Sequence, residues 1–298
     1  MKLLALLCTA VLASCASDAK YLVSPPLTAE VPQGRLLYVA RDAGEAPAFR
    51  IEIVDLGSYA PRALVQSPEP LASPRWSPDA KDFAYVALEH GKASLVVQSL
   101  AGGLPRKLLI GADAIGAPSW SPDGTNLAFA MQREQTTDLY VVDLGTQVAT
   151  RLTQEAGNET EPAYAPDGRS VLYTSDRSGS PQVYELGLRR AKSRLVATDA
   201  PAALRASYSP DGHSVVFVLR SDGSDSIELL DLDSGERTAL SQGPADAAPV
   251  FSPDGHFVAY TAHADGHAIE LVSADGRVRQ SLKTAAEVRE PSWAPPIR

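Results

Sequence analysis

Four carboxylates, Glu159, Glu161, Asp246 and Glu290, stand three to five residues ahead of Tyr164, Phe251 and Trp293. Acids gathered at one opening could hold a cation or a glycan, or act as acid and base in a lyase-type reaction. Five further aspartates, Asp79, Asp123, Asp167, Asp211 and Asp254, each follow a Pro that follows Ser or Ala. Asp side chains in such turns satisfy their own backbone, and one residue type repeated five times argues for geometry over chemistry. The histidines are His90, His213, His256, His263 and His267. His263 and His267 flank Ala264-Asp265-Gly266, which reads as a hairpin turn, and zinc sites take three or four ligands. No metal site is expected. Asp176-Arg177 reads as a charge pair that braces a hairpin. There is no Gly-x-Ser-x-Gly elbow, no His-Glu-x-x-His and no Gly-x-x-x-x-Gly-Lys-Ser/Thr. The expectation is a protein without catalytic residues and without a cofactor, not an enzyme.

The elements that position these residues repeat. An aromatic, Ser or Ala, then Pro-Asp recurs at Trp76, Trp120, Tyr164, Tyr208 and Phe251, with a worn copy at Trp293-Ala294-Pro295-Pro296. The aromatics are spaced 44, 44, 44, 43 and 42 residues apart, the ~40–45-residue period of a four-stranded propeller blade. Ser-Pro-Asp-Gly is a type I turn with Pro at its favoured position and Gly taking the left-handed residue. After it comes a β-rich run such as Val215-Val216-Phe217-Val218, then a third strand such as Ile227–Leu232, then a more polar fourth strand. Polar outer strands suit an edge that must not pair with other molecules. The first repeat supplies only its second to fourth strands, Leu36–Val39, Ile51–Leu56 and Ala63–Val65. The lone strand Glu290–Ala294 supplies the missing innermost one. The fold expected is all-β, a six-bladed β-propeller closed by the C-terminal strand pairing into the first blade.

Composition narrows the function classes. The formal net charge is -9, and no basic stripe offsets it, so binding to nucleic acid is not expected. No apolar run after residue 20 reaches the ~20 residues of a membrane span. The only cysteines are Cys8 and Cys15, which removes a disulfide framework and Cys-based zinc from the body of the chain.

Met1-Lys2 and the apolar run from Leu3 to Leu12 have the order of a secretory leader. Leu12-Ala13-Ser14-Cys15 then resembles a bacterial lipobox, in which the Cys thiol accepts a diacylglyceryl group before cleavage. Residues 1–14 are expected to be a lipoprotein signal peptide and Cys15 the lipidated N-terminus. Residues 15–33, rich in Ser, Ala and Pro, read as a flexible tether. Ala16 in place of Asp resembles lipoproteins sorted to the outer membrane.

Residues 34–298 form the propeller on this reading, and they resemble the propeller repeats of the TolB family. The stretch from Thr160-Glu161-Pro162-Ala163-Tyr164 through Ser175-Asp176-Arg177-Ser178-Gly179-Ser180-Pro181-Gln182-Val183-Tyr184 carries that resemblance most specifically. Glu290-Pro291-Ser292-Trp293-Ala294-Pro295 resembles the family's closing strand. TolB proteins carry an α/β domain ahead of the propeller that engages TolA, and residues 15–33 are too few for one. The resemblance implies a periplasm-facing, protein-binding propeller related to the Tol–Pal envelope system. The implied partner is a periplasmic or outer-membrane protein such as a peptidoglycan-associated lipoprotein. The protein is expected to be a monomer on the periplasmic side of the outer membrane. The alternative is a glycan, small-molecule or cation site in the central channel.

The binding residues are sought by superposing repeats. Three residues ahead of each aromatic lie Ser73, Ala117, Glu161, Arg205, Ala248 and Glu290, where the chain enters each innermost strand. They form one ring that varies while the turns do not. Glu161, Arg205 and Glu290 are the expected partner-binding residues. As rim charges, Glu161 and Arg205 should tolerate charge reversal without loss of stability.

Overall fold

The computed structural model describes residues 32–43, 48–197, 199–263, 268–284 and 286–296. Cys15, the leader and nearly all of the expected tether lie outside the described residues, as does His267. The strands assemble into six four-stranded antiparallel sheets. Among the described residues no helix is long and apolar enough to cross a membrane.

Blade four illustrates the grammar. Its innermost strand, Glu159–Tyr164, runs into the turn Ala165–Gly168, where Gly168 N–H donates to the Ala165 carbonyl at 2.9 Å. Gly168 adopts a φ of 70°, which an L-residue reaches only at a cost. Asp167 Oδ1 accepts the Arg169 N–H at 2.9 Å, so the aspartate closes its own turn. The second strand, Ser170–Ser175, is buried along nearly its whole length, and the fourth, Lys192–Leu195, is largely exposed. Where Ser replaces Ala165 the pin is doubled. Ser121 Oγ donates to Asp123 at 2.6 Å and accepts the Asn126 N–H at 2.9 Å. The same device recurs at Ser273 and Asp275, in an outer hairpin of blade six that the aromatic motif does not mark.

The core is a set of interfaces between neighbouring blades. Leu37, Phe49 and Ile51 of blade one pack on Leu71, Trp76, Phe83 and Tyr85 of blade two. Leu36, Tyr38 and Val54 of blade one also pack on Phe257, Ile269 and Leu271 of blade six. Each blade therefore buries both faces, and the sequence runs of buried Val, Ile, Leu and aromatics follow from that.

Closure takes the expected form. The C-terminal strand Glu287–Trp293 pairs antiparallel with Arg35–Arg41, Trp293 facing Leu36 and Ser292 facing Leu37. Ala294 N–H donates to the Arg35 carbonyl at 2.8 Å.

Asp176 and Arg177 do not brace the hairpin as a pair. Asp176 accepts both the backbone and side-chain N–H of Asn158, at 2.7 and 2.8 Å. Arg177 instead pairs with Glu155 at 2.9 Å and lies 3.7 Å from the ring centroid of Tyr184. The guanidinium is held by an aromatic face, which a reading by sequence adjacency does not anticipate.

Candidate functional site at the entrance mouth

The innermost strands are not regular. In five blades the strand contains one residue more than its partner opposite, a β-bulge, between Ala72 and Arg75, Thr160 and Ala163, Leu204 and Ser207, Ala247 and Val250, and at Arg289–Ser292. The left-handed residue of each bulge is the ring residue: Ser73, Glu161, Arg205, Ala248 and Glu290 have φ between 53° and 57°. None is glycine, and such backbone costs about 1–3 kcal/mol each. Four of the five precede Pro, whose missing N–H is no loss at an unpaired bulge position. Ala117 is the sixth ring position. In its blade the innermost strand shortens to Ser119–Trp120, and Ala117 does not share the left-handed conformation.

The ring is stitched blade to blade. Glu161 of blade four accepts the Arg205 N–H of blade five at 3.0 Å and the Thr174 hydroxyl at 2.8 Å. Its other oxygen pairs with Arg205 Nε at 2.8 Å. Glu290 of blade one accepts the Ser73 N–H at 2.6 Å and the Ser73 hydroxyl at 3.2 Å. Glu290 in turn donates its N–H to Thr261 Oγ1 of blade six at 3.1 Å. Thr174 and Thr261 occupy the same place in their blades, three residues after the second strands' Val171 and Val258. Both glutamates are thus half-buried joints as well as rim charges. The expectation that Glu161 could be reversed without cost is corrected, because its carboxylate satisfies the backbone of the next blade.

Beside this ring lies a cavity of about 460 Å³ lined by blades four, five, six and one. Glu161, Arg205, Ala248 and Glu290 line it, with Arg220, Asp225, His263, Glu287 and Arg289. Arg220 grips Asp225 through two bonds of 2.7 Å, and that contact holds its guanidinium above the ordinary value. Glu287 takes Arg41 at 3.2 Å. His263 Nδ1 lies 2.8 Å from the Ala245 carbonyl. Arg75 lies near enough to Glu290, Arg205 and Glu161 to feel their charges, and burial lowers its affinity for the proton.

Of the four acids singled out in the sequence, Glu161 and Glu290 line the cavity and the other two do not. Glu159 is fully enclosed, and burial pushes its carboxyl up to about 7. Asp246 is buried and accepts the Gly243 N–H at 3.1 Å, closing a loop. Sequence reasoning missed Arg220, Asp225, Glu287 and Arg289. Arg289 carried a usable signal: four residues ahead of the other aromatics stand Ala72, Gly116, Thr160, Leu204 and Ala247, none of them charged.

A family model described as the TolB beta propeller domain matches residues 28–297. The Tol-Pal system protein TolB of Escherichia fergusonii is 42% identical over 69 residues, 23% of this chain and 16% of that protein. That of Xanthomonas campestris pv. campestris is 41% identical over 70 residues, again 23% and 16%. The aligned stretch spans well under two thirds of these relatives. The crystal structure of TolB from Acinetobacter baumannii matches with a TM-score of 0.83 at 33% identity, over 88% of this chain and 67% of that one. With the family model matched along nearly all of its length and a six-bladed ring of the same form, the chain belongs to the TolB β-propeller family.

Proposed function

We propose that this protein is a non-enzymatic docking propeller, anchored by lipid at Cys15 to the periplasmic side of the outer membrane, that binds an envelope protein at its entrance mouth. One observation carries the choice of mouth. Five left-handed bulges converge there, and the residues in them vary within an otherwise uniform repeat, three of the five, Glu161, Arg205 and Glu290, being charged. Backbone strain of this kind collects where a surface must present side chains in a fixed pose. Family membership supports a role beside the Tol-Pal system named in its relatives, with a peptidoglycan-associated-lipoprotein-like protein as the partner. Glu161, Arg205 and Glu290 are the residues assigned to docking.

Arg205→Ala and Glu290→Gln test it, because both keep the side-chain acceptors of the ring's backbone N–H groups. In pull-downs from solubilised envelope read by mass spectrometry, each should lose a protein that the wild type retains. Retention of that protein by both variants would move docking to the opposite mouth. Anchoring has its own test. Cys15→Ser should release the protein to the soluble fraction, while the wild type stays with the membrane and shows an acylated Cys15 by intact mass.

The cavity favours a second reading, a small molecule, glycan or cation held in the channel. Direct binding of such a ligand with no protein retained would select it.

A further inference from the structure

The cavity at the entrance mouth contains a cation that its neighbours do not satisfy. Arg205 has Glu161 and Arg220 has Asp225. Arg289 pairs with no carboxylate among the described residues, and its Nε–H is buried without an acceptor. The acids on either side of it in sequence are engaged elsewhere, Glu287 by Arg41 and Glu290 by Ser73. A buried donor without a partner is costly, more so when it carries charge. The repeat supplies a control for whether the fold requires it. The equivalent positions in the other five blades are Ala72, Gly116, Thr160, Leu204 and Ala247, so the strand closes without an arginine here. Arg75 is a second cation that the repeat does not require. Its one side-chain hydrogen bond goes to the carbonyl of its own neighbour Pro74, at 3.0 Å. The equivalent residues in the other blades, Ser119, Ala163, Ser207, Val250 and Ser292, are uncharged.

We propose that this cavity is a carboxylate-recognition pocket, in which Arg289 takes a planar, singly charged acid through its guanidinium fork. A guanidinium offers parallel N–H donors that match the two oxygens of a carboxylate. Glu161, Asp225, Glu287 and Glu290 line the same space, so a doubly charged phosphate would meet stronger repulsion than a carboxylate. The acid is a side chain or chain terminus of the docked protein, a source that rests on the docking reading above. A free organic acid is the other source of the same chemistry.

The test uses the full-length protein in detergent and N-acetylglycine, a single carboxylate, as the probe, with the neutral N-acetylglycinamide and inorganic phosphate beside it, followed by calorimetry. The wild type should bind N-acetylglycine saturably, ignore N-acetylglycinamide, and bind phosphate more weakly. Arg289→Gln should weaken N-acetylglycine at least about tenfold, and Arg289→Lys should recover only part, because lysine lacks the fork. Arg194→Gln, remote and exposed, should bind as the wild type does. Absence of wild-type binding, equal binding by Arg289→Gln and wild type, or tighter binding of phosphate would each overturn the pocket. Melting curves of the two Arg289 variants identify a folding defect, and the lysine variant keeps the charge should the glutamine variant fail to fold.

A second arm separates the sources. If the docked protein supplies the acid, N-acetylglycine should elute the captured envelope protein from wild type, and Arg289→Gln should not capture it. Capture by both forms alike would overturn the pocket's part in docking and leave the docking reading standing. Binding of the probe with no protein captured would overturn docking and assign the pocket to a free acid.

Discussion

At the scale of single residues, two glutamates near the channel behave in opposite ways. Glu159 has no exposed surface, one oxygen accepts the Ser175 hydroxyl at 3.2 Å, and the other has no partner among the described residues. Burial first, with Asp138 and Glu155 adding to it, raises its carboxyl from 4.5 to about 7. As pH rises between these values the unfolded chain gives up the proton while the folded chain keeps it. The unfolded state then binds fewer protons, and stability, complete below about 4.5, is lost up to about 7. Glu159→Gln should match or approach wild type near the acid end and exceed it by roughly 1–3 kcal/mol at alkaline pH in urea titrations. A variant with the wild-type pH slope would place the titrating group elsewhere. Glu161 is bound to donors rather than sealed. Glu161→Gln keeps an acceptor for the Arg205 N–H and the Thr174 hydroxyl and loses an ion pair that is partly exposed, so it should cost less than ~1 kcal/mol. Glu161→Ala removes the acceptor of the Thr174 hydroxyl and leaves the Arg205 N–H only Thr174 Oγ1, at 3.1 Å, so it should cost about 1–3 kcal/mol, and thermal melts compare the two. The turn aspartates were legible in the sequence because each closes its own turn, a local contact repeated five times. Arg289 and Arg220 were not, because what matters about them is the cavity that residues distant in sequence, on other blades, build around them.

At the scale of the strand and turn, the repeat makes its own mutants. Gly124, Gly168, Gly212 and Gly255 hold the left-handed turn position with φ from 70° to 77°, and Ala80 holds it in blade two at 58°. A methyl group there costs about 1–2 kcal/mol of backbone strain, offset by the lower chain entropy of Ala when unfolded. Ala80→Gly should therefore leave stability unchanged or raise it by up to about 1 kcal/mol. A clear loss in chemical denaturation would mean that the packing of the Ala80 methyl among Trp76, Phe83 and Phe49 outweighs the strain. The turns were legible because Pro-Asp-Gly fixes their conformation by local sterics. The bulges were not read, although Ser73-Pro74, Glu161-Pro162, Ala248-Pro249 and Glu290-Pro291 mark four of them. A proline three residues into a buried strand removes a ladder donor, and only an unpaired position accommodates that. Arg205-Ala206 adopts the bulge without Pro, so there the superposed frame of the other blades decides, which spacing alone registers as a ring but not as a conformation.

At the scale of the molecule, the ring was legible because a broken repeat at each end names its own missing piece. The first blade lacks an innermost strand and the chain's last strand lacks a blade, and only their union leaves no free edge at the channel. The structure attaches energetic weight to that union. Trp293 packs with Leu36, Tyr38, Phe257 and Leu271, tying blade one to blade six. Ser292 tethers the other neighbour, its carbonyl accepting Trp76 Nε1–H of blade two at 3.2 Å. Glu290 accepts from Ser73 of blade two and donates to Thr261 of blade six. One segment of nine residues, 290–298, thus contacts three of the six blades. Deleting it removes the bulk of a buried tryptophan, worth about 3–5 kcal/mol where truncated in a core, and bares the Leu36–Val39 edge. Since native domains are stable by only about 5–15 kcal/mol, the truncated chain should lose its cooperative melt or aggregate on refolding. A milder variant separates packing from pairing. Trp293→Ala keeps the strand and its ladder to Arg35–Arg41, so it should melt cooperatively at a lower temperature, whereas the deletion should not melt cooperatively at all. A deletion that melts as the wild type does would show that the first blade is complete without its C-terminal strand, and the closure would then be incidental to folding.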